Sequence, residues 1–151
     1  LVKRLTVRLY QHDYGWQQKH RWQAKFPKIN LDSGKTDLNK LIKKSRVYIS
    51  TYNATTFLES LSMNVPTVIF WNPQHWEIRK SAQPYFDNLK NVGIFHDTPK
   101  SAADHIIENW DNIDKWWENK KTKHVVKNFC KVFSNTEPGL LNRLEQGLRF
   151  K

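Results

Sequence analysis

The stretch RVYISTYNATTFLESLSMNVPTVIFWN, residues 46–72, constrains the fold of this chain more than any other. Val47, Tyr48 and Ile49 form a short β-rich apolar run, and the Ser/Thr/Asn cluster at 50–56 breaks it where a helix can begin. Beyond Phe57 the apolar residues Leu58, Leu61 and Val65 recur at helical spacing, and Pro66 then opens a second apolar run at 67–71. Strand, polar turn, helix and strand make a βαβ unit. In such a unit the turn at the carboxyl end of the first strand leads into a helix start with unpaired backbone N–H groups, and parallel folds bind phosphate there.

The flanking sequence continues the alternation. Residues 5–10 read as a first strand, followed by QHDYGWQQKHRW, a polar and aromatic loop. Ile29 and Leu31 mark a second strand, and Thr36 or Asp37 caps a helix carrying Leu38, Leu41 and Ile42 on one face. Residues 72–89 read as a loop and an irregular helix, 92–95 as a fifth strand, and Pro99 as the first residue of the next helix. Helical patterns at 102–110, 113–117, 125–133 and 140–148 complete the chain, with Trp110, Trp116 and Trp117 expected in the core. The expectation is an α/β fold: a Rossmann-like parallel sheet of about five strands flanked by helices, with extra C-terminal helices. At 151 residues with no linker, repeat or low-complexity run, residues 1–151 read as a single domain. The chain opens directly in a strand without an initiator methionine, so a fragment of a longer protein is expected.

Net charge is +11, which admits nucleic acid, an anionic membrane face or phosphorylated substrates as partners without choosing among them. The lysines are spread along the chain and read mainly as a solvated face. The His residues stand at 12, 20, 75, 96, 105 and 124, none in an HxxxH or HExxH pair, so no metal site is expected. GxSxG, GxGxxG and the P-loop pattern do not occur, and Cys130, the single cysteine, lies on a helical pattern where an inert thiol is expected. No apolar run approaches the roughly 20 residues of a membrane span.

The turn at 50–56 remains as the place for chemistry. Thr51, Asn53, Thr55 and Thr56 supply hydroxyl and amide donors beside the helix start, a setting that suits an anion without glycine. Glu59 lies one turn beyond Thr55 on the same face. Thr56-Phe57-Leu58-Glu59 also fits the capping box, which would account for Thr56 and Glu59 by helix stability alone.

The runs YNATTFLESLSMNVPTVIFWNPQHWEIR and PYFDNLKNVGIFHDTP resemble the C-terminal part of a transferase family linked to bacterial surface-carbohydrate synthesis. More broadly, residues 6–133 are similar to the donor-binding half of GT-B glycosyltransferases and to the polymerases that transfer glycerol phosphate from a cytidine diphosphate carrier. The resemblance implies a nucleotide-sugar, or other nucleotide-diphosphate, donor as substrate and no separate cofactor. It places Thr51, Asn53, Thr55 and Thr56 at the phosphate-binding turn and Glu59 near the donor ribose. Arg79 is a further phosphate contact or a surface ion-pair partner, and Trp71 and Trp76 are stacking or packing residues. His12, in QHDYG, corresponds to a histidine of an arginine-proline-histidine-proline motif and is the catalytic candidate. The same resemblance implies an acceptor domain ahead of this chain and a cytoplasmic location with peripheral contact to the anionic inner membrane. With the lysines dispersed and no nucleic-acid motif present, no specific nucleic acid is expected as partner. A basic nucleic-acid-binding module and a nucleotide-sugar epimerase are the alternatives.

Overall fold

The computed structural model describes residues 4–135 and 139–149. The chain falls into two compact units, Leu1–Lys44 and Ser45–Lys151.

The first unit holds β1 (Thr6–Arg8), α1 (Gln18–Lys25), β2 (Asn30–Asp32) and α2 (Leu38–Lys44). β1 and β2 pair in parallel with Thr6 opposite Asn30 and Arg8 opposite Asp32. That register is reinforced by side chains: Asn30 Nδ2 donates to Thr6 Oγ1 at 2.9 Å, and Arg8 pairs with Asp32 and also donates to the Thr36 carbonyl. Asp37 starts α2 by accepting from the Lys40 N–H at 3.0 Å, one of the two caps expected. α1 begins within the stretch expected to be a loop and runs past its end; Asp13 receives the Gln17 and Gln18 N–H groups at its start, and it buries no residue, so it carries no apolar periodicity to read.

The second unit holds β3 (Tyr48–Ser50), α3 (Thr55–Ser62), β4 (Thr67–Phe70), α4 (Gln83–Asn91), β5 (Phe95–His96), α5 (Pro99–Asn109), α6 (Ile113–Trp117), α7 (Lys120–Phe133) and α8 (Leu140–Arg149). Its sheet has the order β3-β4-β5, all parallel, with Ser50 opposite Ile69 and Phe70 opposite His96. The parallel α/β character expected from the sequence is present, but one sheet of about five strands is not: the strands divide into a pair and a trio, one in each unit. Short apolar runs announce strands and leave their partners open, which is why the division is not visible in the pattern.

Both faces of the trio are covered, and β4 shows how. Thr67, Val68 and Ile69 are wholly buried, and successive side chains point to opposite faces. Val68 packs with Ala102 and Ile106 of α5, flanked by Val47, Ile49 and Phe70. Ile69 and Trp71 point the other way, into Phe57 and Leu61 of α3, Phe86 and Leu89 of α4, Trp117, and Val126 and Phe129 of α7. Trp117 is buried and Trp116 half-buried, both with the indole N–H satisfied, by Asn64 and by the Val92 carbonyl respectively; Trp110 lies half-buried with the Arg46 guanidinium 4.9 Å above its ring.

The return points are held by specific residues. Asn64, at φ 58, ends α3 in a left-handed conformation, and its Oδ1 accepts from Trp117 Nε1 at 3.1 Å and Lys123 Nζ at 2.8 Å. Val92, expected to open the last strand, instead ends α4; Gly93 at φ 76 makes the turn into β5, and a Cβ there would lie 2.2 Å from His105 Cε1. Thr98 caps α5 by accepting from the Ser101 N–H, which leaves Pro99 in the first turn as expected.

Candidate functional site

Because β3, β4 and β5 are parallel, their carboxyl ends lie along one edge of the sheet. Open parallel folds bind ligands along such an edge. Each strand there feeds a different segment: the turn 51–54 after β3, the loop 71–82 after β4, and Asp97 after β5.

The first segment is knit from within. Ser50 Oγ donates to the Tyr52 carbonyl at 3.2 Å, and the Tyr48 hydroxyl donates to Thr56 Oγ1 at 3.0 Å. Burial pushes the Tyr48 phenol up, with the bonds to Thr56 and Ser50 opposing the shift, so it stays protonated and able to donate. The cap position of α3 is Ala54, and no side chain caps the helix. The capping box is therefore not formed: Thr56 lies within the first turn and its hydroxyl is engaged by Tyr48. Thr51, Thr55 and Glu59 are exposed, and Asn53 and Thr56 are half-buried. No acidic residue in the first turn offsets the positive end of the helix dipole.

The second segment lies beside the first, since the rings of Tyr52 and Trp76 stand 6.3 Å apart. The two tryptophans of this region separate in role. Trp71 is buried among Phe57, Phe86 and Phe95 with ring centroids 4.7–5.8 Å away, so it belongs to the core and has no free face for a ligand. Trp76 is 44% exposed.

Beyond Trp76 a cleft of about 460 Å³ is lined by Pro73, Glu77, Ile78, Arg79, Lys80, Gln83, Phe95 and Asp97. Arg79 is exposed, and among the described residues no carboxylate pairs with it or with Lys80. The surface ion pair considered for Arg79 is thus not made. Asp97, by contrast, is paired with Lys90, which offsets the carboxylate on the β5 side. Of the two carboxylates in the lining, Asp97 is thus matched by Lys90, while Glu77 shares its loop with both Arg79 and Lys80, so the cations of that loop outnumber its acid and favour an added anion.

Thr51, Asn53, Thr55, Thr56 and Glu59 are thus gathered on one turn and helix start, with Arg79 on the adjoining loop. His12 lies in the first unit, its ring 6.1 Å from that of Tyr10 and 6.4 Å from that of Tyr14. Lys80, Gln83 and Asp97 are lining residues that motif reading did not single out. Asp97 had a positional signal, because it directly follows the final strand; Lys80 and Gln83 had none, since the segment before α4 carries no periodicity. Among the described residues no three His, Cys, Asp or Glu side chains are grouped to hold a metal ion, and no helix is long and apolar enough to cross a membrane.

The family model described as LIC12162 family transferase matches residues 1–148. The chain belongs to the LIC12162 transferase family. That membership sets the reaction class, transfer of a group from a donor to an acceptor. No curated protein and no solved structure matches the chain.

Proposed function

We propose that this LIC12162 family transferase binds a nucleotide-diphosphate donor, in the first place a nucleotide sugar, along the carboxyl ends of β3, β4 and β5, and that it serves surface-carbohydrate synthesis in the manner of the donor half of a GT-B glycosyltransferase. The observation that carries this reading is Arg79 in the cleft, with no ion-pair partner among the described residues, on a loop that Tyr52 and Trp76 join to the start of α3, which no side chain caps. A diphosphate needs cations and N–H donors together, and this edge offers both.

Each residue then has a task. The N–H groups at the start of α3, with Thr51, Asn53, Thr55 and Thr56, receive the phosphates; Arg79 and Lys80 balance their charge; Glu59 accepts from a ribose hydroxyl; and the exposed Trp76 stacks on a planar ring. Charge that develops on the departing diphosphate is stabilised by the same donors, which is an electrostatic contribution to the transfer step. His12 is the candidate acid or base, and an additional domain supplies the acceptor side. The site works at the cytoplasmic face of the inner membrane.

Calorimetric titration with nucleoside diphosphates tests the reading. Arg79→Gln should weaken binding by about 2 kcal/mol as a lost charge-assisted hydrogen bond, and Thr55→Ala by about 1 kcal/mol. Both variants retaining full affinity while folded would overturn it.

A further inference from the structure

An isolated helix shorter than about 12–15 residues is marginal in water, because nucleation costs more than a few hydrogen bonds return. The 10 described residues of α8 fall short of that on their own, and every side chain described on them is exposed. Leu140, Leu141, Leu144 and Leu148 are 45%, 80%, 56% and 77% exposed. Their spacing puts them on one stripe of the helix. Four exposed leucines in one stripe, among the described residues, define a face that favours an apolar medium over water.

The preceding helix identifies that medium by charge. α7 carries Lys120, Lys121, Lys123, Lys127 and Lys131 and no Asp or Glu. Its inward face is fixed by Thr122, Val126 and Phe129, all buried, so Lys120, His124, Lys127 and Lys131 fall on an exposed face one or two turns apart. Among the described residues Lys123 is the lysine of α7 with a carboxylate partner, Glu118 at 2.6 Å. A cationic helix followed by a leucine-striped one matches an interface that is anionic at its surface and apolar beneath. A second copy docking through the leucines would leave the lysines of α7 without an opposite charge, and a nucleic acid would leave the leucines in water.

We propose that α7 and α8 form a docking surface for an anionic lipid bilayer, the leucine stripe of α8 lying in the boundary between headgroups and acyl chains while the lysines of α7 meet lipid phosphates. The attachment is peripheral. It rests on the inner-membrane location proposed above and not on the donor site, so the nucleotide reading and the bilayer reading can fail separately.

Flotation of the 151-residue chain with vesicles tests it, using phosphatidylcholine alone and phosphatidylcholine mixed with phosphatidylglycerol. Binding to the mixed vesicles, weakened by salt, is expected, with little to phosphatidylcholine alone. The double variant Leu141→Asp/Leu148→Asp should lose about tenfold or more in partitioning, and Lys127→Glu/Lys131→Glu should lose affinity together with most of the salt dependence. All four side chains are exposed, so circular dichroism and the urea midpoint should stay at the parent values; Leu141→Ser/Leu148→Ser, a milder change with the same expected direction, serves if the aspartates perturb α8. Three results would overturn the proposal: no association with either vesicle, a dimer in light scattering that the leucine variant abolishes, or tighter binding to single-stranded RNA than to the anionic vesicles.

Discussion

The two parallel sheets of this chain use strands of similar length and rest on different physics. In the second unit β4 is sandwiched: Val68 meets α5 on one face and Ile69 meets α3, α4 and α7 on the other, with Thr67 buried and bonded to Ser60 at 2.9 Å. In the first unit the described residues include one buried hydrophobic side chain, Ile42, and the β1–β2 pair is tied at its edges by Arg8–Asp32 and Asn30–Thr6. Pairing is local in both sheets; what differs is the apolar surface each removes from water. Since that surface is the main favourable term in folding, the trio is the rigid platform, and a binding edge gains precision from such a platform.

The largest expected effect breaks the contrast directly. Phe86→Ala, which empties a ring contacting Phe57, Trp71, Phe95, Phe129 and Phe133, should cost about 4 kcal/mol, whereas Leu31→Ala, half-buried on β2, should cost about 1 kcal/mol. Urea unfolding of both variants checks this; equal losses would mean that the two sheets are equally supported.

Gly93→Ala comes next. The left-handed φ of 76 and the Cβ position 2.2 Å from His105 Cε1 together should cost about 3 kcal/mol, read as a lowered thermal midpoint. Asn64→Ala removes the acceptor shared by Trp117 and Lys123 and leaves an alanine in a left-handed conformation, for about 2 kcal/mol. Asn64→Gly should recover part of the loss by relieving the backbone, which separates conformation from hydrogen bonding.

The smallest effect is on pH dependence. His96 and His105 stand 5.4 Å apart, ring to ring, and burial lowers both from the ordinary 6.5; Asp97 and Lys90 act on His96 in opposite senses, and Glu108 raises His105 while His96 lowers it. Protonation is therefore easier in the unfolded chain. Stability is fully present above about 6.5 and is lost as pH falls through the depressed folded-state values. The urea midpoint should decline from pH 7.5 to pH 5, and His96→Asn should flatten that decline. An unchanged slope would place the titration elsewhere.

The sequence revealed what burial imprints on it. β3 and β4 were legible because strands covered on both faces read as continuous apolar runs, and α6 was found at its observed bounds, Ile113–Trp117. α1 was hidden, because a helix that buries nothing leaves no period. The fifth strand was displaced: Val92, Ile94 and Phe95 are all apolar, yet Val92 closes a helix and Gly93 turns the chain, a distinction of backbone conformation that hydropathy does not carry. At the candidate site, the polar turn was visible as composition. The unformed capping box was not, since it depends on Tyr48 reaching Thr56 from the neighbouring strand. Nor was the cleft beside Arg79, which draws residues from the ends of two strands.

The central claim is that the strand-end edge of the second unit binds a diphosphate. Amide chemical-shift mapping of the isotope-labelled chain tests it most directly, first with inorganic pyrophosphate and then with the tightest-binding nucleoside diphosphate. The account predicts saturable shifts concentrated at residues 51–59 and 76–80, extending to Trp76 Nε1–H with the nucleotide and absent in Arg79→Gln for pyrophosphate. Shifts confined to the lysines of α7, or scattered without saturation, would contradict it.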